Sequence, residues 1–275
     1  MGLIDFFRSS ETQTETHSWD LVSHDPTIQP VDALAAALAE RIMEHKCRGC
    51  PHHYQAWRTR VLGGSAVPES SRDALRAFIR PVFGLPEDPE SVAQDHMEGF
   101  VAHYLWYFLA MEMTSREAVE RIEPPGFKAT DPGGDGLVIH RVDEGYLMFR
   151  LWEIKKCVGE GSVSSTVGTA YRQLGAKATE YLARYTVIGQ ELDEKPELAN
   201  FYGQLIELWV DARREAAAGI CVATSQEKVP TRCFTTFGKR FPEFVEPVRL
   251  LGMLTAIEDL SCFTRRVRQY IWTGL

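Results

Sequence analysis

Residues 136–156, GLVIHRV-DEG-YLMFRLWEIKK, constrain the fold more than any other stretch. Two runs rich in β-branched and aromatic residues flank Asp143-Glu144-Gly145 and read as one β-hairpin. A three-residue connection with glycine available for the left-handed position pairs Val142 with Tyr146, Leu137 with Leu151 and Asp135 with Glu153. Directly opposed residues hold their β-carbons about 5 Å apart. Alternation then puts Glu153 and Lys155 on the face that carries Leu147, Phe149 and Leu151. Two carboxylates opposed over an apolar face repel by roughly 4 kcal/mol at 4 Å in an effective dielectric of 20. Protonation of one acid, or a divalent ion between the two, removes that cost. Asp135 and Glu153, with Lys155 adjacent, are therefore expected to form a cation site with chemistry attached.

With 275 residues, 44% of them hydrophobic, the chain can bury a full core, as one domain with additions or as two small ones. Its longest apolar stretch, Phe100 to Met111, is about 12 residues against the roughly 20 that span a bilayer, so no membrane segment is expected. MGLIDFFRSS lacks the long apolar segment of a secretory signal, and a cytoplasmic location is the expectation. Six cysteines in such a chain read as reduced thiols. A formal charge of −8 is not the footprint of a protein that holds nucleic acid by overall charge. Any polyanion must be held locally or delivered by a partner.

Residues 1–30, polar and without periodicity, read as a mobile N-terminal segment. Residues 31–87 read as a helical layer, with helices over 31–46 and 71–84. From Asp88-Pro89-Glu90 a long helix runs through SVAQDHMEGFVAHYLWYFLAMEM, apolar nearly all round in its second half and so buried. SREAVERIE predicts a strand, PPGFKATDPGGDG a loop, and the hairpin follows. Helices are expected over 164–188 and 197–218, and AGICVATS as a strand. Residues 226–275 read as a C-terminal extension packed on the core, with the stretch from Pro247 to Trp272 helical in two pieces.

The order helix, three strands, helix, strand, with an acid opening the second strand and Glu-x-Lys closing the third, resembles the PD-(D/E)xK nuclease superfamily. Here the motif is Gly134-Asp135-Gly136, a gap of 17 residues, then Glu153-Ile154-Lys155. The resemblance covers residues 88–225 and implies an α/β (α+β) fold. Its centre would be a restriction-endonuclease-like core, a small mixed β-sheet flanked by helices, with added N- and C-terminal helices. It implies that Asp135, Glu153 and the Ile154 carbonyl bind Mg²⁺, with Mn²⁺ as a substitute, and that Lys155 orients the attacking water. Superfamily members often add a glutamate from the preceding helix, and Glu98 stands at that place, on one helical face with Ala102, Leu105 and Leu109. Gln173 looks like the glutamine of RecB-like members. Their tyrosine follows four residues later, however, where this chain has Lys177, and Tyr181 is eight away. The GxD…ExK hairpin with an acidic helix is also similar to small nucleases of bacterial antiphage systems such as the Hachiman type. The implied function is a DNA nuclease, with RNA as the other polyanion to consider, working in phage defence or restriction beside a helicase, ATPase or sensor subunit. The alternative is a catalytically silent nuclease-fold module that binds DNA or protein.

Each chemical reading has an ordinary counterpart. Glu153 and Lys155 could be a solvated strand end, Glu98 a surface residue near a helix start, and Gln173 with Lys177 the exposed side of a helix. His45-x-Cys47-x-x-Cys50-x-His52-His53 has C-x-x-C spacing suited to a structural Zn²⁺, but nothing in the sequence selects a second pair of ligands, and the ordinary reading is that Cys47 and Cys50 pack beneath the next helix. His140 faces away from Asp135 by strand parity.

Overall fold

Alternation, not overall hydrophobicity, sets the architecture: seven strands each offer one set of side chains to either side of a single mixed sheet, and helices cover both faces. The computed structural model describes residues 2–113, 118–126, 136–142, 145–189 and 196–275. In chain order the elements are β1 (Phe7–Gln13), β2 (Ser18–His24), α1 (Val31–Lys46), α2 (Pro51–Val61), α3 (Glu69–Phe83), α4 (Gln94–Met113), β3 (Ala118–Ile122), β4 (Gly136–Arg141), β5 (Leu147–Cys157), α5 (Val163–Gly189), α6 (Pro196–Val210), β6 (Ala216–Ser225), α7 (Phe237–Arg240), β7 (Leu250–Ile257) and α8 (Leu260–Thr273). The strand order is β1-β2-β7-β6-β5-β4-β3. Strands β2, β7, β6 and β5 run parallel, and the pairs β1–β2, β5–β4 and β4–β3 are antiparallel.

The hairpin has the register that its turn length predicts. Leu137 lies opposite Leu151, and the Val142 amide donates to the Tyr146 carbonyl at 3.1 Å. Gly145 takes φ of 84°, the left-handed conformation that glycine adopts without steric cost. Asp135 and the turn residues Asp143 and Glu144 lie outside the described residues.

One core packs α1, α2, α3, α4 and α8 against Val138, Trp152, Ile154, Cys221 and Met253. The other packs α5, α6 and α7 against Leu137, Phe149, Leu151, Ile220 and Leu254. The parallel strands carry buried side chains on both sides, as strands covered by helices on two faces must.

Two expectations are corrected. Residues 1–30 are not a mobile lead-in: β1 and β2 belong to the sheet, and β2 is an interior strand between β1 and β7. Trp19 packs toward one core and Val22 into the other, so apolar residues fall on both faces of β2 and no clean alternation marks it as a strand. The first part of the 247–272 stretch is strand β7, and only 260–273 is helical. LLGMLTAI is a short apolar run, a pattern that does not separate a buried strand from a helix. Two helix ends also differ. The long helix begins at Gln94, after a 3-10 turn over Pro89–Ser91. Helix α6 stops at Val210, because Ala212 turns with φ of 50° and the Arg249 guanidinium takes up the carbonyls that follow, donating to Ala212 and Arg213 at 2.9 and 2.8 Å.

Candidate active site

Strand β5 carries Glu153-Ile154-Lys155-Lys156 beyond the reach of the described part of its antiparallel neighbour. Pairing with β4 is described as far as Gly136 opposite Trp152, whereas pairing with β6 continues to Cys157 opposite Thr224. This half of β5 lies toward the carboxyl ends of the parallel strands, the edge at which open α/β sheets place their ligands.

Alternation splits the four residues between the two faces. Glu153 and Lys155 face α5, in line with Leu151 and Phe149. Glu153 has no exposed surface, and its Oε1 is ion-paired with Lys155 Nζ. Their neighbours on β6, Ile220 and Val222, are fully buried and apolar. A carboxylate in such surroundings costs several kcal/mol unless a cation accompanies it. Lys155 reaches it while keeping about a quarter of its own side chain in solvent, its relative accessibility being 24%.

Ile154 and Lys156 face α4. Lys156 Nζ lies 2.9 Å from Glu98 Oε2 and also pairs with Asp95. Glu98 Oε1 accepts from Ser261 Oγ at 2.6 Å and from Gln94 Nε2 at 3.1 Å. Burial alone would raise the Glu98 pKa. The hydrogen bonds from Ser261, Lys156 and Gln94 outweigh it and hold the carboxyl below its ordinary value. Glu98 is thus placed on the opposite face of the sheet from Glu153 and Lys155, engaged by the lysine one residue further along.

Gln173 is on α5, the helix that covers the Glu153 face, and its Nε2 donates to Tyr181 Oη at 3.0 Å. A search for a tyrosine four residues away misses this pair, since two turns of helix bring Tyr181 to the glutamine instead. Lys177 is exposed. Reasoning from the motif also passes over Lys156, although the Lys-Lys doublet is its signal: adjacent strand residues must serve opposite faces.

The cysteine and histidine cluster is drawn to separate partners. His45 Nδ1 is 3.0 Å from Tyr104 Oη, and His53 Nδ1 is 3.1 Å from Ser71 Oγ. Burial, with smaller contributions from Arg48 and Lys46, lowers the His45 pKa to about 4. Cys47 is fully buried, and its thiol is pushed up to about 12, chiefly by burial. Among the described residues no three of His, Cys, Asp and Glu are grouped as ligands of one metal ion. Of the ligand set expected for Mg²⁺, the described residues contain Glu98, Glu153 and the Ile154 carbonyl, donors of the hard oxygen type that this ion takes, and Glu98 stands apart from the other two, bound to Lys156 and Ser261 on the other face of the sheet. Asp135 lies outside the described residues.

No family model matches the chain, and no curated protein matches it in sequence. None of the described helices is long and apolar enough to cross a membrane.

Proposed function

We propose that the protein is a Mg²⁺-dependent nuclease of the PD-(D/E)xK type that hydrolyses phosphodiester bonds of DNA. The observation that carries this reading is the fully buried Glu153 carboxylate ion-paired with Lys155, two residues on along the same strand and toward the carboxyl ends of the parallel strands. The sequence of elements from α4 through β3, β4, β5 and α5 to β6, with β5 and β6 parallel, supports a restriction-endonuclease-like core around it.

In this reading Asp135, Glu153 and the Ile154 carbonyl hold Mg²⁺, which when bound would withdraw charge from the scissile phosphate and acidify a water. Lys155 supplies a point cation next to that phosphate and orients the attacking water. Gln173 enters through its place on α5. Glu98 serves the scaffold instead, and with Ser261, Gln94 and Lys156 it fastens the start of α4 to β5 and α8. A formal charge of −8 supports delivery of DNA by a second subunit, a helicase, ATPase or sensor, as in an antiphage or restriction system.

The test is cleavage of plasmid DNA by the full chain with Mg²⁺ or Mn²⁺. Glu153→Gln and Lys155→Ala should each abolish it while the protein stays folded. Undiminished cleavage by either variant removes the assignment.

One observation favours a second reading, a nuclease-fold binding module without catalysis: the Glu153 charge is already matched by Lys155. Calorimetric titration with Mn²⁺ separates the two. An isotherm lost on Asp135→Asn supports the enzyme; no heat of binding supports the module.

A further inference from the structure

The run Cys47-Arg48-Gly49-Cys50 takes no part in the candidate active site and lies at the joint of two helices, on the sheet face opposite Glu153. Helix α1 closes on Cys47, whose amide donates to the Met43 carbonyl at 2.9 Å, and α2 opens with Cys50 as its N-cap and Pro51 in its first turn. Between them the chain reverses in a single turn, in which the Cys50 amide donates to the Cys47 carbonyl at 2.7 Å. Such a turn keeps its first and last Cα atoms within about 7 Å, and a disulfide spans roughly 4.4 to 6.8 Å between Cα atoms. The backbone therefore already holds the two cysteines within reach of a bridge. Arg48 and Gly49 between them are exposed, and a β-carbon added to Gly49 would meet nothing within 4 Å, so the turn can adjust without displacing a neighbour.

The two sulfurs differ in access. Cys47 has no exposed surface and belongs to the core under α1 and α2, whereas Cys50 is partly exposed and its thiol does not cap α2. After burial, the neighbouring Cys50 sulfur is the next cause that pushes the Cys47 thiol up to about 12, which places the two sulfurs near each other. The histidines on either side are turned away, His45 to Tyr104 and His53 to Ser71. The thiols are thus the pair that chemistry at this joint can use.

We propose that Cys47 and Cys50 form a reversible disulfide by exchange with a low-molecular-weight disulfide, Cys50 being the attacking thiol and Cys47 the resolving one. In the first step the Cys50 sulfur, its proton passed to water, bonds to one sulfur of the incoming disulfide; the incoming S–S bond breaks, and the other half leaves as a thiolate and takes up a proton. In the second step the Cys47 sulfur, its proton also passed to water, bonds to that of Cys50 and expels the remaining half as a second thiol. Two protein thiols are oxidised to one disulfide, and one small disulfide is reduced to two thiols. The order follows from burial: a small disulfide reaches Cys50 but not Cys47. Cys47 reacts only once the mixed disulfide stands one turn away, where proximity offsets its low thiolate fraction. The bridge fastens the end of α1 to the start of α2, and its formation rests neither on Glu153 and Lys155 nor on the nuclease reading.

Incubation of the folded full chain with oxidised glutathione, followed by blocking of free thiols and peptide mass spectrometry, tests the proposal. The parent should lose the Cys47 and Cys50 thiols together, with a mapped Cys47–Cys50 link that dithiothreitol reverses. Cys47→Ala should stop at the first step and retain one glutathione on Cys50, Cys50→Ser should leave Cys47 unmodified, and Glu153→Gln should oxidise as the parent does. Should Cys47→Ala fail to fold, Cys50→Ser, at a partly exposed position, still decides the order of attack. A parent that keeps both thiols reduced, glutathione that stays on Cys50 in the parent, modification of Cys47 in Cys50→Ser, or a link from Cys50 to any other cysteine overturns the proposal.

Discussion

Glu98 Oε2 lies 2.9 Å from Lys156 Nζ, while the preceding lysine, Lys155, pairs with Glu153 through the other face of the same strand. Strand β5 thus separates two acid–lysine pairs that share adjacent lysines and differ in setting. Glu98 has three hydrogen-bonding neighbours and belongs to the junction of α4, α8 and β5. Glu153 is set among apolar residues with Lys155 as its ion-pair partner.

The Glu98 junction should appear in acid stability. Its carboxyl is held below the ordinary value of 4.5, so the unfolded chain takes up a proton at higher pH than the folded one. The stabilisation is therefore complete above that ordinary value and is lost as pH falls through the folded pKa. Urea denaturation between about pH 6 and pH 3 should show Glu98→Gln less stable than the parent at the upper end, with the gap narrowing toward the lower. A constant gap across that range would contradict the assignment.

Removing only the cation of the other pair leaves a buried charge behind. Lys155→Met should destabilise the fold by about 3 kcal/mol, and Glu153→Gln combined with Lys155→Met should recover a large part of the loss. Chemical denaturation of the single and double variants measures this independently of any cleavage assay. A double variant no more stable than Lys155→Met alone would show that the pair is not coupled.

His140 predicts a dependence of the opposite chemical origin and the same sign. Its folded pKa is about 3 against an ordinary 6.5, so protonation of the unfolded chain drains stability as pH drops below 6.5. One proton corresponds to about 1.4 kcal/mol per pH unit. His140→Gln should flatten the slope of stability against pH between about 6.5 and 4 by up to about that amount, read by thermal or urea melts at fixed ionic strength.

Gly136 opens β4, and a β-carbon there would sit 2.2 Å from the ring of Trp106. Gly136→Ala should cost about 1 to 3 kcal/mol by forcing the indole to move. Because Asp135 is its neighbour in sequence, the proposed nuclease activity should fall even at temperatures where the variant is fully folded. Melting temperature and cleavage rate measured on the same preparation check both effects.

The hairpin and α1 are legible in the sequence because their signals are local. Turn length sets Leu137 opposite Leu151, and VDALAAALAERIMEHK repeats at helical spacing over 31–46. The failures share a non-local cause. Nothing in FRSSETQ or SWDLVSH says that β7 will stand beside them, and β7 resembles a helix until it has neighbours. Glu98 shows the limit at the site itself: periodicity groups it with Ala102 and Leu105, but only the placement of α4 decides which face of β5 that group meets.

The interior position of β2 has a practical side. Shortening the protein to begin at Val31, a natural cut for anyone seeking the helical part alone, would strip two strands and leave the β7 amides and carbonyls that face β2 without partners. Such a fragment is expected to self-associate through that bare margin, so its behaviour in any assay would report the exposed strand edge and not the residues of the candidate site.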